Sequence, residues 1–217
     1  MKFAVVLAGC GVYDGAEIHE ATMTMLAIDR NGGEYEIFAP NIKQLHVINH
    51  LTGEVMDESR NVLVEAARIA RGRIRALSEY KQADFEGLIF PGGFGVAKNL
   101  CSYAVDGTDM RIDKVVGRAV LETHAAGKPI GALCISPVMI AALIPGAEIT
   151  LGSDDKYDAE VASLGGRNRT TANRQVVTDK KNRIVTTPCY MNDATIADIA
   201  EGADMLVKEL IRMISDF

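Results

Sequence analysis

Apolar residues in this chain follow two rhythms. Short continuous apolar runs, closed by Gly or Pro, alternate with stretches where apolar positions recur every three or four residues. The first rhythm predicts buried strands and the second amphipathic helices. Residues 2–8 form a strand-like run stopped by Gly9-Cys10-Gly11. Residues 16–30 read as a helix with Ile18, Ala21, Thr22, Met25 and Ile28 near one face, ended by Gly32-Gly33. Residues 34–39 read as a second strand. A helix capped by Ser59 runs to Arg71, with Val62, Ala66, Ile69 and Ala70 as its apolar stripe. Gly87-Leu88-Ile89-Phe90 is a strand broken by Pro91-Gly92-Gly93, and Asp113 caps a helix to about residue 126. A strand at 129–133 leads into a helix from Pro137. Residues 149–152 read as a further short strand. Residues 176–178 and 184–187 are arms of a hairpin, and a last helix capped by Asn192 reaches about Ser215.

Strands that are apolar on both faces and alternate with helices predict a mostly parallel sheet covered on two sides, a three-layer α/β/α sandwich. No repeat or linker interrupts it, so residues 1–217 read as one domain. The feature that departs from the pattern is residues 153–173, a polar stretch. It opens with Asp154, Asp155, Asp158 and Glu160 and closes with Arg167, Arg169 and Arg174, which suggests an excursion or flap.

Composition narrows the function classes. A formal net charge of −6 disfavours a polyanion-binding protein, so no nucleic-acid partner is expected. No apolar stretch reaches the ~18 residues of a membrane span, and the opening run is too short for a secretory signal. A soluble cytoplasmic protein is therefore the expectation. The four cysteines, Cys10, Cys101, Cys134 and Cys189, contain no C-x-x-C pair and no zinc-type spacing with His, so neither disulfides nor a metal is indicated.

In an open parallel sheet, ligands bind beyond the carboxyl ends of the strands. Three unusual segments fall there: residues 9–17, 91–95 and 133–137. The last has the form strand, Cys134, helix. A side chain at such an elbow stands over the sheet edge, with amides of the following residues pointing toward it, which favours thiolate. The same residue could equally be a buried strand-end cysteine. Gly92 and Gly93 allow close backbone approach and could aim an N–H at a developing oxyanion beside that of Ile135. Glu17, in the opening turn of the first helix, is either a helix-dipole partner or, if it leans over the sheet edge, a general acid/base. Residues 9–17 lack the third glycine of a dinucleotide fingerprint, and no phosphate-binding loop occurs. Of the four histidines, His19, His46, His50 and His124, none lies downstream of Cys134. That argues against a glutamine-hydrolysing Cys–His–Glu triad. His46 or His50, in an unplaced loop, could reach the site. Cys10 ends a neighbouring strand and could line the same pocket as a packing residue or as a redox partner of Cys134. Lys98 and Asn99 could border it.

These segments together resemble the PfpI-type branch of the class I glutamine amidotransferase-like superfamily. Residues 9–20 (Gly9-Cys10-Gly11-Val12-Tyr13-Asp14-Gly15-Ala16-Glu17-Ile18-His19-Glu20), 59–72, 91–100 (Pro91-Gly92-Gly93-Phe94-Gly95), 127–137 and 185–188 are similar to the ElbB-type glyoxalase family. The resemblance implies a flavodoxin-like sandwich, usually a homodimer. It implies Cys134 as nucleophile, Glu17 as its acidic partner, and Gly93 and Ile135 as oxyanion amides, with Gly92 beside them. The implied activity is a glyoxalase acting on a small dicarbonyl without cofactor, with deglycase-type activity on glycated molecules as a related form. The peptidase-like branch carries His after the cysteine; this chain has Ile135, which counts against peptidase activity. The competing class is a non-catalytic stress-sensing or chaperone-like protein with an oxidation-sensitive Cys134.

Overall fold

A computed structural model of the protein describes residues 1–216. Its centre is a seven-stranded sheet. Five strands are the apolar runs and their neighbours: β1 (Lys2–Val6), β2 (Glu34–Ala39), β3 (Ile74–Ala76), β4 (Gly87–Phe90) and β5 (Ile130–Leu133). A two-stranded side sheet pairs β6 (Glu148–Ile149) with β7 (Arg167–Asn168). The hairpin β8 (Val177–Asp179) and β9 (Ile184–Thr187) completes the main sheet. The order is β3-β2-β1-β4-β5-β9-β8, parallel except for β8 against β9. The chain leaves β1 toward β2 and β3, then returns to the other side of β1 as β4. The strand order therefore reverses between β1 and β4, the place where a crevice opens in such sheets.

Seven α-helices accompany the sheets among the described residues: α1 (Ile18–Arg30), α2 (Val62–Ile69), α3 (Tyr103–Asp106), α4 (Lys114–Ala125), α5 (Pro137–Leu143), α6 (Asp158–Ser163) and α7 (Ile196–Ser215). Alternation along each strand splits the interior in two. Ala4, Val6, Leu88, Phe90, Ile130 and Ala132 face one cluster, closed by Val116 and Val120 of α4 and Val138 of α5. Phe3, Val5, Ile89, Leu133 and Val185 face the other, closed by Ala21 and Ile28 of α1, Ala66 of α2 and Leu206 of α7. This is the expected flavodoxin-like α/β/α sandwich.

Local details differ from the pattern in four places. Asn61, not Ser59, caps α2, its side chain accepting from the Val64 amide; of the polar residues there, the one next to the first helical turn has the geometry. Thr195, not Asn192, caps α7 through a reciprocal capping box with Asp198. β3 is an edge strand of three residues around an exposed Arg75, too short and polar to announce itself. The polar excursion is folded: it carries α6 and β7, and Val161 is fully buried in the first cluster. Asn192 clasps its two ends, its Oδ1 accepting from the Ser153 amide at 2.7 Å and its Nδ2 donating to the Thr171 carbonyl at 3.1 Å.

Candidate active site

The parallel ladder between β5 and β9 runs one residue past Leu133, where the Cys134 amide donates to the Thr187 carbonyl at 3.0 Å. The chain then turns sharply, and Cys134 takes φ +58°. A side chain is strained in that left-handed region by ~1 kcal/mol or more. The turn is held by Ser136, fully buried, whose hydroxyl donates to the Pro91 carbonyl at 2.8 Å. The result is the expected elbow, with the Cys134 side chain only 8% exposed and opening into a cavity.

Pro91-Gly92-Gly93, after β4, presses against this elbow. A Cβ on Gly92 would stand 2.4 Å from Cβ of Cys134 and 2.6 Å from Oε2 of Glu20, so only glycine lets the segments meet. Gly93 has φ +103°, and a Cβ there would fall 2.4 Å from the Glu17 amide nitrogen. The Glu17 amide in turn donates to the Gly92 carbonyl at 2.9 Å. The amides of Gly93 and Ile135 both donate to the Cys134 sulfur, where they favour thiolate.

Two carboxyl groups sit beneath and beside this thiol. Glu17 is the N-cap of α1; its Oε2 accepts the Glu20 amide at 2.7 Å, and the residue also lines the cavity. Glu20, one turn further, is fully buried. Its Oε2 accepts the Gly92 amide at 2.8 Å and its carboxyl is hydrogen-bonded to Cys134. Burial, then the charge of Glu17, raises the Glu20 pKa to about 8. The group is therefore mainly protonated at neutral pH. The Cys134 thiol is pushed up by burial and then by the Glu20 charge, against the two amides. That second cause vanishes once Glu20 is protonated, and the carboxyl O–H then becomes a donor toward sulfur. Neutral Glu20 thus supports thiolate, and ionised Glu20 opposes it.

Glu20 is the residue that sequence reasoning missed. It shares the buried face of α1 with Ala21, Thr24, Ala27 and Ile28, whereas Ile18 is 44% exposed. The stripe assigned from periodicity is rotated from the true one because a carboxylate was counted with the polar face. The detectable signal is the spacing Glu20-Thr24-Ala27-Ile28, a charged residue in register with small apolar ones.

The cavity holds about 330 Å³ and brings together Glu17, Gly93, Cys134 and Ile135. Tyr157 reaches it from the polar excursion. Other candidates lie elsewhere. Half-buried Cys10 is not among the residues lining the cavity, and its thiol is pushed up by burial and then by the charge of Glu65. His50 stacks on Tyr13 and accepts from its amide at 3.1 Å, bracing the loop after β1. Lys98 donates to the Tyr13 carbonyl, and buried Asn99 to the carbonyls of Ala8 and Asp14, so both hold that loop from behind. His19 lies 3.8 Å from Glu17 Oε1 and 2.8 Å from the Tyr190 hydroxyl at the cavity's edge. Among the described residues no group of three or more His, Cys, Asp or Glu side chains converges as a metal-binding set, and no helix is long and apolar enough to cross a membrane.

No family model matches the chain. The chain is 43% identical to the mitochondrial ES1 protein homolog of Rattus norvegicus, over 98% of this chain and 84% of that protein. It is 42% identical to the mitochondrial glutamine amidotransferase-like class 1 domain-containing protein 3 of Homo sapiens, over 98% and 83%. Among solved structures, an isoprenoid biosynthesis protein with an amidotransferase-like domain from Ehrlichia chaffeensis superposes with a TM-score of 0.92 at 36% identity, over 98% of this chain and 99% of that one. Glyoxalase III from Candida albicans shares the fold, with a TM-score of 0.63 at 15% identity over 98% and 97%. The cytoplasmic expectation is overturned by the relatives, which are named as mitochondrial proteins. The lack of a secretory signal or membrane-length apolar stretch does not decide between cytoplasm and an organelle. On identity and coverage together, the chain belongs to the family of ES1 and glutamine amidotransferase-like class 1 domain-containing proteins.

Proposed function

We propose that this protein is a cofactor-independent glyoxalase of the ElbB type, converting a small dicarbonyl to a hydroxy acid on Cys134. The observation that carries the reading is the strained, amide-cradled thiol hydrogen-bonded to buried Glu20, with Glu17 facing the same cavity. Cys134 adds across an aldehyde C=O, its proton passing to the carbonyl oxygen, while the neutral Glu20 carboxyl donates its O–H to the sulfur as thiolate develops and the Gly93 and Ile135 amides hold the negative charge building on that oxygen. Glu17 removes the hydrogen from that carbon, giving an enediol, and returns a proton to the second carbon. The product is a thioester of the hydroxy acid. Water cleaves it, so glyoxal plus water becomes glycolate and the thiol is restored. Glu17 is the group that meets substrate; Glu20 acts through Cys134 and is a positioning residue.

The test is the rate on glyoxal, with glutamine and a glycated amino acid as comparators. Cys134→Ser should lower turnover by about 10³-fold or more with the fold retained. Glu17→Gln should lose turnover yet leave Cys134 open to iodoacetamide. Glu20→Gln should change how the alkylation rate of Cys134 rises between pH 6 and 10. Full glyoxal turnover in Cys134→Ser would sink the reading. A second reading, an oxidation-sensing protein with the same thiol, is favoured by the absence of any His among the groups acting on Cys134. It expects an adduct with glyoxal that is never released.

A further inference from the structure

Glyoxal has four heavy atoms, and the cavity over Cys134 is far larger than it needs. A dry apolar cavity of ~150 Å³ already takes a benzene ring. This one holds about 330 Å³, room for a ring together with a dicarbonyl. Its walls are aromatic and aliphatic: Phe94, Tyr103, Tyr157, Tyr190, Ile135 and Met191. The polar tips of two of these rings are already engaged, Tyr190 with His19 and Tyr103 with Glu160, which leaves ring faces for a ligand. No Lys or Arg lines the cavity, and the carboxyl of Glu17 does. A carboxylate or phosphate on the ligand would find no cation on the cavity wall, Lys98, 5.5 Å from the Phe94 ring, being engaged by the Tyr13 carbonyl, and would meet a like charge in Glu17, a costly arrangement.

We propose that this cavity selects an uncharged ligand carrying an aromatic group, so that the substrate class is an aryl- or similarly apolar-substituted α-ketoaldehyde rather than glyoxal itself. The dicarbonyl part of this rests on the glyoxalase reading; the choice of ligand class rests on the cavity alone. The chemistry balances as before. Thiolate adds to the aldehyde carbon, hydrogen moves to the ketone carbon, and water releases the 2-hydroxy acid, mandelate in the case of phenylglyoxal. Tyr157, reaching in from the excursion, is the specificity-determining residue the structure assigns.

Two measurements test this separately from the parent reading. The first is binding to the Cys134→Ser protein by calorimetry, using phenylacetamide against acetamide and against phenylacetate. Phenylacetamide should bind at least about tenfold tighter than either, from the apolar area buried and the charge excluded. Equal or weaker binding of phenylacetamide overturns the inference, whatever turnover shows. The second is kcat/KM on wild-type protein for phenylglyoxal, 4-carboxyphenylglyoxal and glyoxal, each divided by its rate with a free thiol. Phenylglyoxal should lead by at least about tenfold, and Tyr157→Ala should narrow its lead over glyoxal. Glyoxal or the carboxylated compound leading overturns the inference and spares the glyoxalase reading. Turnover of none, with phenylacetamide still preferred, overturns the glyoxalase reading and leaves the ligand class standing.

Discussion

Glu20 is neutral in the folded chain at a pH where the same group in an unfolded chain is ionised, and this links the site to stability. Its pKa goes from 4.5 to about 8 on folding. Between those values the folded state binds more protons than the unfolded state, so this group's effect on stability worsens as pH rises through that window. The stability is fully kept below pH ~4.5 and lost above ~8. At 1.36 kcal/mol per pH unit the loss is bounded at ~5 kcal/mol, shared with the coupled thiol. Glu20→Gln keeps an acceptor for the Gly92 amide and removes the titration. Thermal melts from pH 5 to 9 should therefore show the variant gaining on the wild type as pH rises. Parallel curves would mean that Glu20 is ionised in the native protein throughout. Glu17, in contrast, is already spent in part as a cap, its Oε2 held by the Glu20 amide. One helical turn thus separates a carboxyl that meets the cavity from one that governs the thiol.

Between elements, the contact that matters is the loop after β4 against the elbow after β5. Gly92→Ala would force a Cβ to 2.4 Å from Cys134 Cβ and 3.0 Å from the Leu133 carbonyl. Neither neighbour is a flexible tip, so the expected cost is ~1–3 kcal/mol of stability together with a displaced thiol. Denaturant unfolding and iodoacetamide labelling of Cys134 measure the two effects; a variant unchanged in both would show that the loops part freely. Thr195→Ala is the contrasting case. It removes the capping box of α7, far from the cavity, and should cost ~1 kcal/mol while Cys134 labelling stays at the wild-type rate. Most elements were legible because β1, β4 and β5 are apolar on both faces and end at glycine, proline or the elbow. The caps were less so: Ser59, Asn61, Asn192 and Thr195 are all competent capping residues, and backbone geometry alone decides among them.

Across the whole molecule, the sheet and the excursion differ in how they are held. The strands lie between two buried clusters, whereas α6 and β7 pack on one of them from a single side, through Val161, Tyr157 and Leu164, and are tied by the two-residue β6–β7 pairing and by hydrogen bonds that include the clasp of Asn192. Amide exchange followed by mass spectrometry should show residues 155–163 exchanging by local opening at low free energy, while β4 and β5 exchange only with global unfolding. Equal protection in both would mean that the excursion is part of the folding core. Asn192→Ala should speed exchange in the excursion alone. Since Tyr157 walls the cavity, that variant also reports on how firmly the excursion holds one wall of the site.

The amino-acid order settled the layered architecture, and it marked the turn at Cys134 and the glycines of residues 92–93 as candidates without choosing between their readings. These follow from local rules: a two-faced apolar run must be buried on both sides, and a strand-to-helix turn must push its residue outward. The resemblance of whole segments extended this to a family. It took the packed chain to show that Glu20, with Glu17 kept to the cavity wall, governs the thiol, that Cys10 stays off the cavity wall, and that Tyr157 crosses from a polar stretch to close an aromatic cavity. Helical periodicity says which residues share a face. Which face then settles on Gly92 depends on how α1 crosses the sheet edge, and that is set by packing against α2, α7 and the strands together.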